Sequence, residues 1–143
     1  NRALCALLRR EVELPGVEFF VETVKEYRML LVLRGQGLDG RVDDTDPQET
    51  GVPPLDPQPL APEAEKTANL VADFLSQARR VLADQHAANM INLRGFSKRP
   101  DWPSFEQAYG IKAAAIAGYP MYRGVAQLVG TVLAVDGGAC DEI

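Results

Sequence analysis

One long amphipathic segment constrains the fold of this chain more than any other feature. Between residues 62 and 86, the side chains that fall on one helical face are Ala64, Thr67, Ala68, Val71, Phe74, Leu75, Ala78 and Leu82. Pro62 suits the first turn of a helix, and Glu63 and Glu65 favour the positive end of its dipole. The pattern predicts a helix over residues 62–86 whose apolar face must pack against other elements.

The residues before this helix predict elements that it can cover. Leucines at helical spacing near the start predict a short helix that Asn1 can cap. Residues 17–23 and 28–33 are rich in β-branched and aromatic side chains, which is typical of strands. The short polar segment between them predicts a hairpin.

Shorter apolar runs later in the chain predict strands at residues 90–93, 111–117 and 132–135, with a helix at 122–129. The order strand, helix, strand near the end favours a parallel pair joined by a crossover. The predicted fold class is therefore α/β, with a mixed sheet that includes the hairpin and a long covering helix. Residues 35–61 carry repeated Gly and Pro, which predicts a long loop, and loops of that length are usually functional or disordered.

Length, charge and cysteine content exclude several classes of function. The chain has 143 residues, 46% of them hydrophobic and 24% charged, which is typical of one globular domain. No apolar run approaches the roughly 20 residues of a membrane span. The net charge of -5 argues against general binding to nucleic acid or anionic membranes. Cys5 and Cys140 match no metal-ligand spacing, so we expect free thiols and a cytoplasmic protein. The one histidine, His86, is interpreted as a residue at the C-terminal end of the long helix.

Residues 92–100 form a basic segment that predicts an anion site. Arg94, Lys98 and Arg99 supply three cations, and Gly95 and Pro100 favour a turn. Guanidinium groups can hold phosphate or carboxylate oxygens in a bidentate way. The alternative interpretation is a solvated basic turn, which is the common fate of surface Lys and Arg.

This basic segment is one of three that together resemble a known family. The three are LDGRVDDTDP at residues 38–47, NLRGFSKRP at residues 92–100, and FEQAYGIKAAAIAGYPMYRGVAQLVG at residues 105–130. They are similar to the central part of the archaeal-type cofactor-independent (2,3-bisphosphoglycerate-independent) phosphoglycerate mutases, which also occur in bacteria. The resemblance spans about residues 16–135.

The resemblance implies the inserted domain of an enzyme of the alkaline phosphatase superfamily. In such enzymes a serine and two divalent metals, Mn or Mg with Zn or Co as alternatives, carry the phosphoryl group. We expect that serine and the metal ligands to lie outside this chain, so we assign no catalytic residue and no metal ligand here. We expect residues 1–143 to form a single domain within a longer chain, with about 111–143 leading back toward the metal-binding domain.

The resemblance also implies the residues that hold the substrate. They are Arg41, Asp44, Asp46, Arg94, Lys98 and Arg123. An Asx-turn at Asp44 or Asp46 is the alternative for the carboxylates, because either side chain can accept a bond from its own backbone. Either Lys98 or Arg99 could match the second cation of the basic loop. Near Arg123 this chain has Met121 where more distant relatives carry a lysine, which leaves the role of Arg123 open.

The implied activity of the whole enzyme is the interconversion of 3-phosphoglycerate and 2-phosphoglycerate in glycolysis and gluconeogenesis, an isomerase reaction that the isolated chain would not perform. Two alternatives stay open: a kinase-like member of the same family that acts on homoserine, and a stand-alone module that binds a phosphometabolite or a protein. The expected partners are phosphoglycerate and the remainder of the same polypeptide, with no nucleic acid and no membrane. Homo-oligomerisation through an exposed apolar surface is left open.

Overall fold

The computed structural model describes residues 1–133, and the chain divides into two compact units. The first unit is Asn1–Lys98, and the second begins at Arg99. The single domain over 1–143, with residues 111–143 leading back toward a metal-binding domain, stays a prediction. Within residues 1–133 no helix is both long and apolar enough to cross a membrane.

The first unit contains two helices and a hairpin. Helix α1 is Arg2–Glu11, strands β1 and β2 are Glu18–Thr23 and Met29–Arg34, and helix α2 is Glu65–Val81. The two strands pair antiparallel over their whole length, as the sequence predicts. The Asn1 side chain does not cap α1 but donates to the carbonyls of Glu26 and Arg28, both at 2.7 Å. It therefore attaches the start of the helix to the turn of the hairpin.

The predicted apolar face of α2 forms the main core with α1 and the hairpin. The buried members of this core are Cys5, Leu8, Val12, Leu14, Val21, Phe74, Ala78 and Leu82. Phe74 is fully buried and meets Phe19 of β1 edge to face, with 6.4 Å between the ring centroids. The α/β class with a hairpin and a long covering helix is confirmed.

The long helix is shorter than predicted. Pro62–Ala64 forms a 3-10 turn, and α2 ends at Val81 instead of His86. Leu82 is the last residue whose side chain the core buries, and the polar residues after it gain nothing from a further turn of helix. His86 lies exposed in a turn beyond the helix, so its predicted place in the last helical turn is wrong.

The strand predicted at residues 90–93 is wrong, because these residues have no regular pairing. Leu93 instead bonds through its main chain to one residue, Thr45. The apolar run reflects packing, since Ile91 and Leu93 lie half-buried against the main core. The long loop at residues 35–61 has a hydrogen-bonded conformation, with one isolated bridge between Val42 and Pro59.

The second unit contains two short helices and a parallel strand pair. Helix α3 is Phe105–Tyr109, β3 is Ala114–Ala115, α4 is Pro120–Leu128 and β4 is Val132–Leu133. The predicted parallel order strand, helix, strand is confirmed. The predicted buried strand over 111–117 shrinks to two residues, of which one is exposed and one half-buried. Residues 134 and 135 of the last predicted strand lie outside the described residues.

Two features of the described residues differ from the predicted topology. The hairpin and the β3–β4 pair form two separate two-stranded sheets, so the expectation that they share one sheet is wrong for this part of the chain. Helix α3 was not predicted, although Ser104 and Gln107 form a capping box at its start. With five residues it is too short to give a periodic signal.

Candidate functional site

Thr45 joins the long loop to the basic segment of the first unit. Its side chain is fully buried, and its main-chain N–H donates to the Leu93 carbonyl at 2.8 Å. The Leu93 N–H donates in turn to Thr45 Oγ1 at 2.8 Å, and the hydroxyl lies 3.2 Å from the Leu93 carbonyl oxygen, which accepts from it. These bonds fix the main chain directly before Arg94.

The two aspartates beside Thr45 bond to the basic segment as well. Asp44 Oδ1 accepts from the Gly95 N–H at 2.8 Å, and Asp46 Oδ2 accepts from Arg94 Nη1 at 3.3 Å. Gly95 has a φ of +75°, a backbone conformation that glycine adopts without strain, so the chain can turn directly after Arg94. Residues 44–46 and 93–95 therefore face each other through bonds from three consecutive residues on each side.

Asp46 also forms the Asx-turn that the sequence left as an alternative. Its Oδ1 accepts from the main-chain N–H of Gln48 at 3.0 Å, and Gln48 has a positive φ of 53°. Its second carboxylate oxygen is the one that pairs with Arg94. One side chain thus shapes its own loop and contacts the opposite one, whereas Asp44 bonds to the opposite loop.

Arg41 lies in a second ionic group of the same unit. Its guanidinium donates to both carboxylate oxygens of Asp39, at 2.9 and 3.0 Å, and to Glu63 Oε2 at 3.1 Å. The hydrogen bond from Arg41 is the largest cause that lowers the pKa of Asp39 from 3.8 to about 2, and the charge of Lys98 adds to the effect. The same pairing raises the pKa of Arg41. Asp39 is thus held ionised beside two cations.

Gly40 brings this group against the end of the basic segment. A Cβ atom at Gly40 would lie 2.8 Å from the carbonyl carbon of Ser97 and 2.9 Å from the nitrogen of Lys98. A Cβ atom essentially never lies within 3.0 Å of a main-chain atom of another segment, so only glycine allows the two main chains to approach this closely. Val42 and Phe96 pack nearby in a small apolar cluster with Ala64 and Ala68 of the helical segment.

The structure therefore places five of the six predicted site residues in two segments that lie against each other. Arg41, Asp44 and Asp46 belong to one segment, and Arg94 and Lys98 belong to the other. Arg123 belongs to the second unit, where it lies in α4. That these residues hold a substrate stays a prediction.

The five residues of the first unit, together with their partners Asp39, Thr45 and Glu63, are called the site cluster below. Their ionic contacts leave cationic groups open to solvent. The Arg94 side chain is 64% exposed, and its contact with Asp46 uses one of five N–H donors. An ion pair this exposed contributes little stability, so a carboxylate or phosphate of a ligand can replace or share it without large loss. The geometry suits the binding of a small anion near Arg94.

Three contributors to this cluster were not predicted as site residues. Asp39 and Thr45 lie inside the resembling segment at residues 38–47, and Glu63 was interpreted as a residue that favours the helix dipole. The contacts of Glu63 and Thr45 reach across 22 and 48 residues, and no local pattern in the sequence indicates such pairs. A threonine between two aspartates gives no signal of its burial.

No group of three or more His, Cys, Asp or Glu side chains in residues 1–133 could hold a metal ion. That the metal ligands lie elsewhere in a longer chain stays a prediction. Cys5 is a free, buried thiol whose sulfur donates to Asn1 Oδ1 at 3.0 Å. Cys140 lies outside the described residues.

Comparison with known proteins agrees with the family that the sequence resembles. A profile described as "2,3-bisphosphoglycerate-independent phosphoglycerate mutase" matches residues 1–89. Proteins named as probable members from Thermus thermophilus and Deinococcus radiodurans are 43% and 44% identical over 139 and 142 residues. Each alignment covers 96% of this chain but 34% and 35% of the relative.

The fold is shared with a solved structure, the cofactor-independent phosphoglycerate mutase from Thermoplasma acidophilum. The TM-score is 0.69 at 27% identity, and the match covers 97% of this chain and 41% of that one. The chain spans about a third of the length of the curated relatives that it matches. With most of its residues matched by the family profile, the chain belongs to the 2,3-bisphosphoglycerate-independent phosphoglycerate mutase family.

Proposed function

We propose that this chain is the substrate-holding part of a phosphoglycerate mutase that interconverts 3-phosphoglycerate and 2-phosphoglycerate. One observation carries the proposal. Arg94 lies between Leu93 and Gly95, whose main chains are held by hydrogen bonds, and its guanidinium is exposed. Phosphoglycerate carries a phosphate and a carboxylate, and a guanidinium can bind either group in a bidentate way. Relatives named as probable mutases support this substrate class.

The role of the chain in the reaction is to position the substrate and neutralise its charge. A guanidinium held in a defined place lowers the barrier of a transfer step without taking part in bond formation. We assign this role to Arg94, and Arg41, Lys98 and Arg123 are further substrate contacts in the proposal. Asp44 and Asp46 hold the basic segment in place and can accept bonds from the glycerate hydroxyl.

The nucleophilic serine and two divalent metal ions belong, in this proposal, to the remainder of the polypeptide. The metal ions would stabilise charge on the transferring phosphoryl group when bound. The isolated chain is accordingly inactive as a mutase, and the full-length protein acts in the cytoplasm in glycolysis and gluconeogenesis. Turnover of 3-phosphoglycerate by the purified chain, free of host mutase, would defeat this division of roles.

The proposal is tested by replacing Arg94 in the full-length protein. Arg94→Ala removes a charge-assisted hydrogen bond to the substrate, so kcat/KM for 3-phosphoglycerate should fall about ten- to a hundredfold, or about 1.5 to 3 kcal/mol. The free energy of unfolding should barely change, because the side chain is exposed and its ion pair is weak.

Arg10→Ala is the matched control. Arg10 is also exposed and also paired with a carboxylate, that of the adjacent Glu11, but it lies on α1. Its replacement should leave kcat/KM unchanged. Equal kcat/KM values for the two variants would show that the basic segment is a solvated turn without a role in substrate binding. Phosphorylation of homoserine by the full-length protein, in place of mutase activity, would show that the protein is a kinase instead.

A further inference from the structure

Thr45 lies in a loop, yet it is buried and hydrogen-bonded to a residue far away in the sequence. Its side chain is fully buried, and all three hydrogen bonds that it makes with Leu93 cross a sequence separation of 48 residues. Its carbonyl also accepts from the Leu55 N–H at 2.9 Å, so the residue is held on its own side as well. The hydroxyl both donates and accepts, and its removal would leave the Leu93 N–H without this partner, whereas the Leu93 carbonyl would keep its bond from the Thr45 N–H.

The partner of Thr45 is the residue directly before Arg94. Both main-chain polar groups of Leu93 are bonded to Thr45, which fixes the peptide planes on either side of Leu93. On the other side of Arg94, the Gly95 N–H is bonded to Asp44. The Cα atom of Arg94 therefore lies between two anchored points, and the guanidinium needs to order only its own side chain to meet a ligand.

We propose that Thr45 is a positioning residue, which through Leu93 sets where the Arg94 guanidinium meets the phosphate or carboxylate of the substrate. The inference rests on the proposed function, because it assumes that Arg94 binds the substrate. It goes beyond that function in assigning the position of Arg94 to a residue that does not touch the ligand. Pre-ordering of a binding group reduces the entropy that binding must overcome.

Two substitutions at this position separate the hydroxyl from the shape of the side chain. In the full-length protein, Thr45→Val keeps the branched shape and the main-chain bond but loses the hydroxyl bonds to Leu93. Thr45→Ser keeps the hydroxyl and loses a methyl group. We expect kcat/KM for 3-phosphoglycerate to fall about tenfold in Thr45→Val and to stay within about twofold of the unmodified protein in Thr45→Ser.

A double-mutant cycle shows whether Thr45 acts through Arg94. In an Arg94→Ala background, Thr45→Val should lower kcat/KM by less than about twofold, because the group that it positions is already absent. Val21→Ala is the control for lost stability, since Val21 is fully buried in β1. It should lower the melting temperature and leave kcat/KM unchanged.

Several outcomes would overturn the inference. They are a Thr45→Val variant with unchanged kcat/KM, a Thr45→Ser variant as impaired as Thr45→Val, and additive effects in the cycle. If Arg94→Ala itself has no effect, the proposed function fails first; if Arg94→Ala is impaired and Thr45→Val is not, the inference alone fails.

Hydrogen exchange in the unmodified full-length protein gives a test that needs no variant to fold. The Leu93 amide donates to a buried hydroxyl and should exchange slowly, like a protected amide of a helix, although it lies in a loop. The adjacent Arg94 amide is the internal comparison. Exchange of the Leu93 amide at the rate of an open loop would overturn the inference independently of any activity.

Discussion

Gly40 provides the sharpest test of how the two segments of the cluster meet. Replacement by alanine adds one methyl group, which would lie 2.8 Å from the Ser97 carbonyl carbon and 2.9 Å from the Lys98 nitrogen. Both atoms belong to the main chain, so no side-chain rotation can relieve the contact. The φ of Gly40 does not lie in the left-handed region, and the substitution therefore tests space alone.

The size of the effect follows from the distance that the main chain must move. An ordinary contact begins at 3.4 Å, so residues 97 and 98 must shift by about 0.6 Å, or the loop at residues 39–41 must shift by the same amount. Overpacking of this kind lowers the free energy of unfolding by about 1 to 3 kcal/mol. A displacement of similar size at a substrate-binding segment can reduce activity by about tenfold or more.

Gly35→Ala is the matched control in the same unit. Its new Cβ would also lie 2.8 Å from its nearest neighbour, but that neighbour is Cγ1 of the Val17 side chain. The valine can adjust, so we expect a smaller loss of stability than for Gly40→Ala and no change in kcat/KM. Urea denaturation and kinetics of the two full-length variants measure both quantities. A Gly40→Ala protein with the stability and kcat/KM of the unmodified protein would show that the basic segment does not lie on Gly40.

Two further predictions concern the charge of Asp39 and the main core. The pKa of Asp39 is about 2 in the folded protein and 3.8 in the unfolded chain. Its pairing with Arg41 therefore stabilises the fold fully above pH 3.8, and this stabilisation is lost as the pH falls to about 2. The melting temperature of Asp39→Asn should consequently lie below that of the unmodified protein at neutral pH and approach it in acid, and a constant difference across this range would contradict the assignment. Phe74→Ala empties the centre of the core beneath β1 and should lower the free energy of unfolding by about 3 to 5 kcal/mol in urea denaturation, whereas a loss below about 1 kcal/mol would show that Phe74 is not a core residue.

The sequence predicts those elements whose signal is local. The α2 face repeats with helical period over four turns and the hairpin strands consist of adjacent apolar runs, so the sequence predicts both elements, the strands to within one residue and the helix with ends that extend too far. A run of four apolar residues at 90–93 carries no information about its partner. Whether such a run becomes a strand depends on a free sheet edge, and here the bonding groups of Leu93 go to Thr45 instead.

The residue types of the candidate site were also identified from the sequence, but their contacts were not. The resemblance singled out the aspartates at 44 and 46 and the cations at 94 and 98, and the structure brings their segments together. The resemblance implies that both aspartates contact the substrate, with an Asx-turn as the alternative, and their contact with a substrate stays a prediction. In the structure Asp44 and Asp46 bond to the basic segment, because two loops with few apolar residues need hydrogen bonds and ion pairs to hold them in contact.

The carboxylates that pair with these cations determine the net charge of the site. Asp39, Asp44, Asp46 and Glu63 accompany Arg41, Arg94 and Lys98, so this cluster does not carry the net positive charge that attracts anions from a distance. Affinity for a small anion must then come from directed donors at short range, and their placement decides it more than their number. Arg41 already has two carboxylate partners, whereas Arg94 has one long contact of 3.3 Å at an exposed position. Of the two arginines, Arg94 is therefore the one that a substrate can engage with less loss of existing bonds.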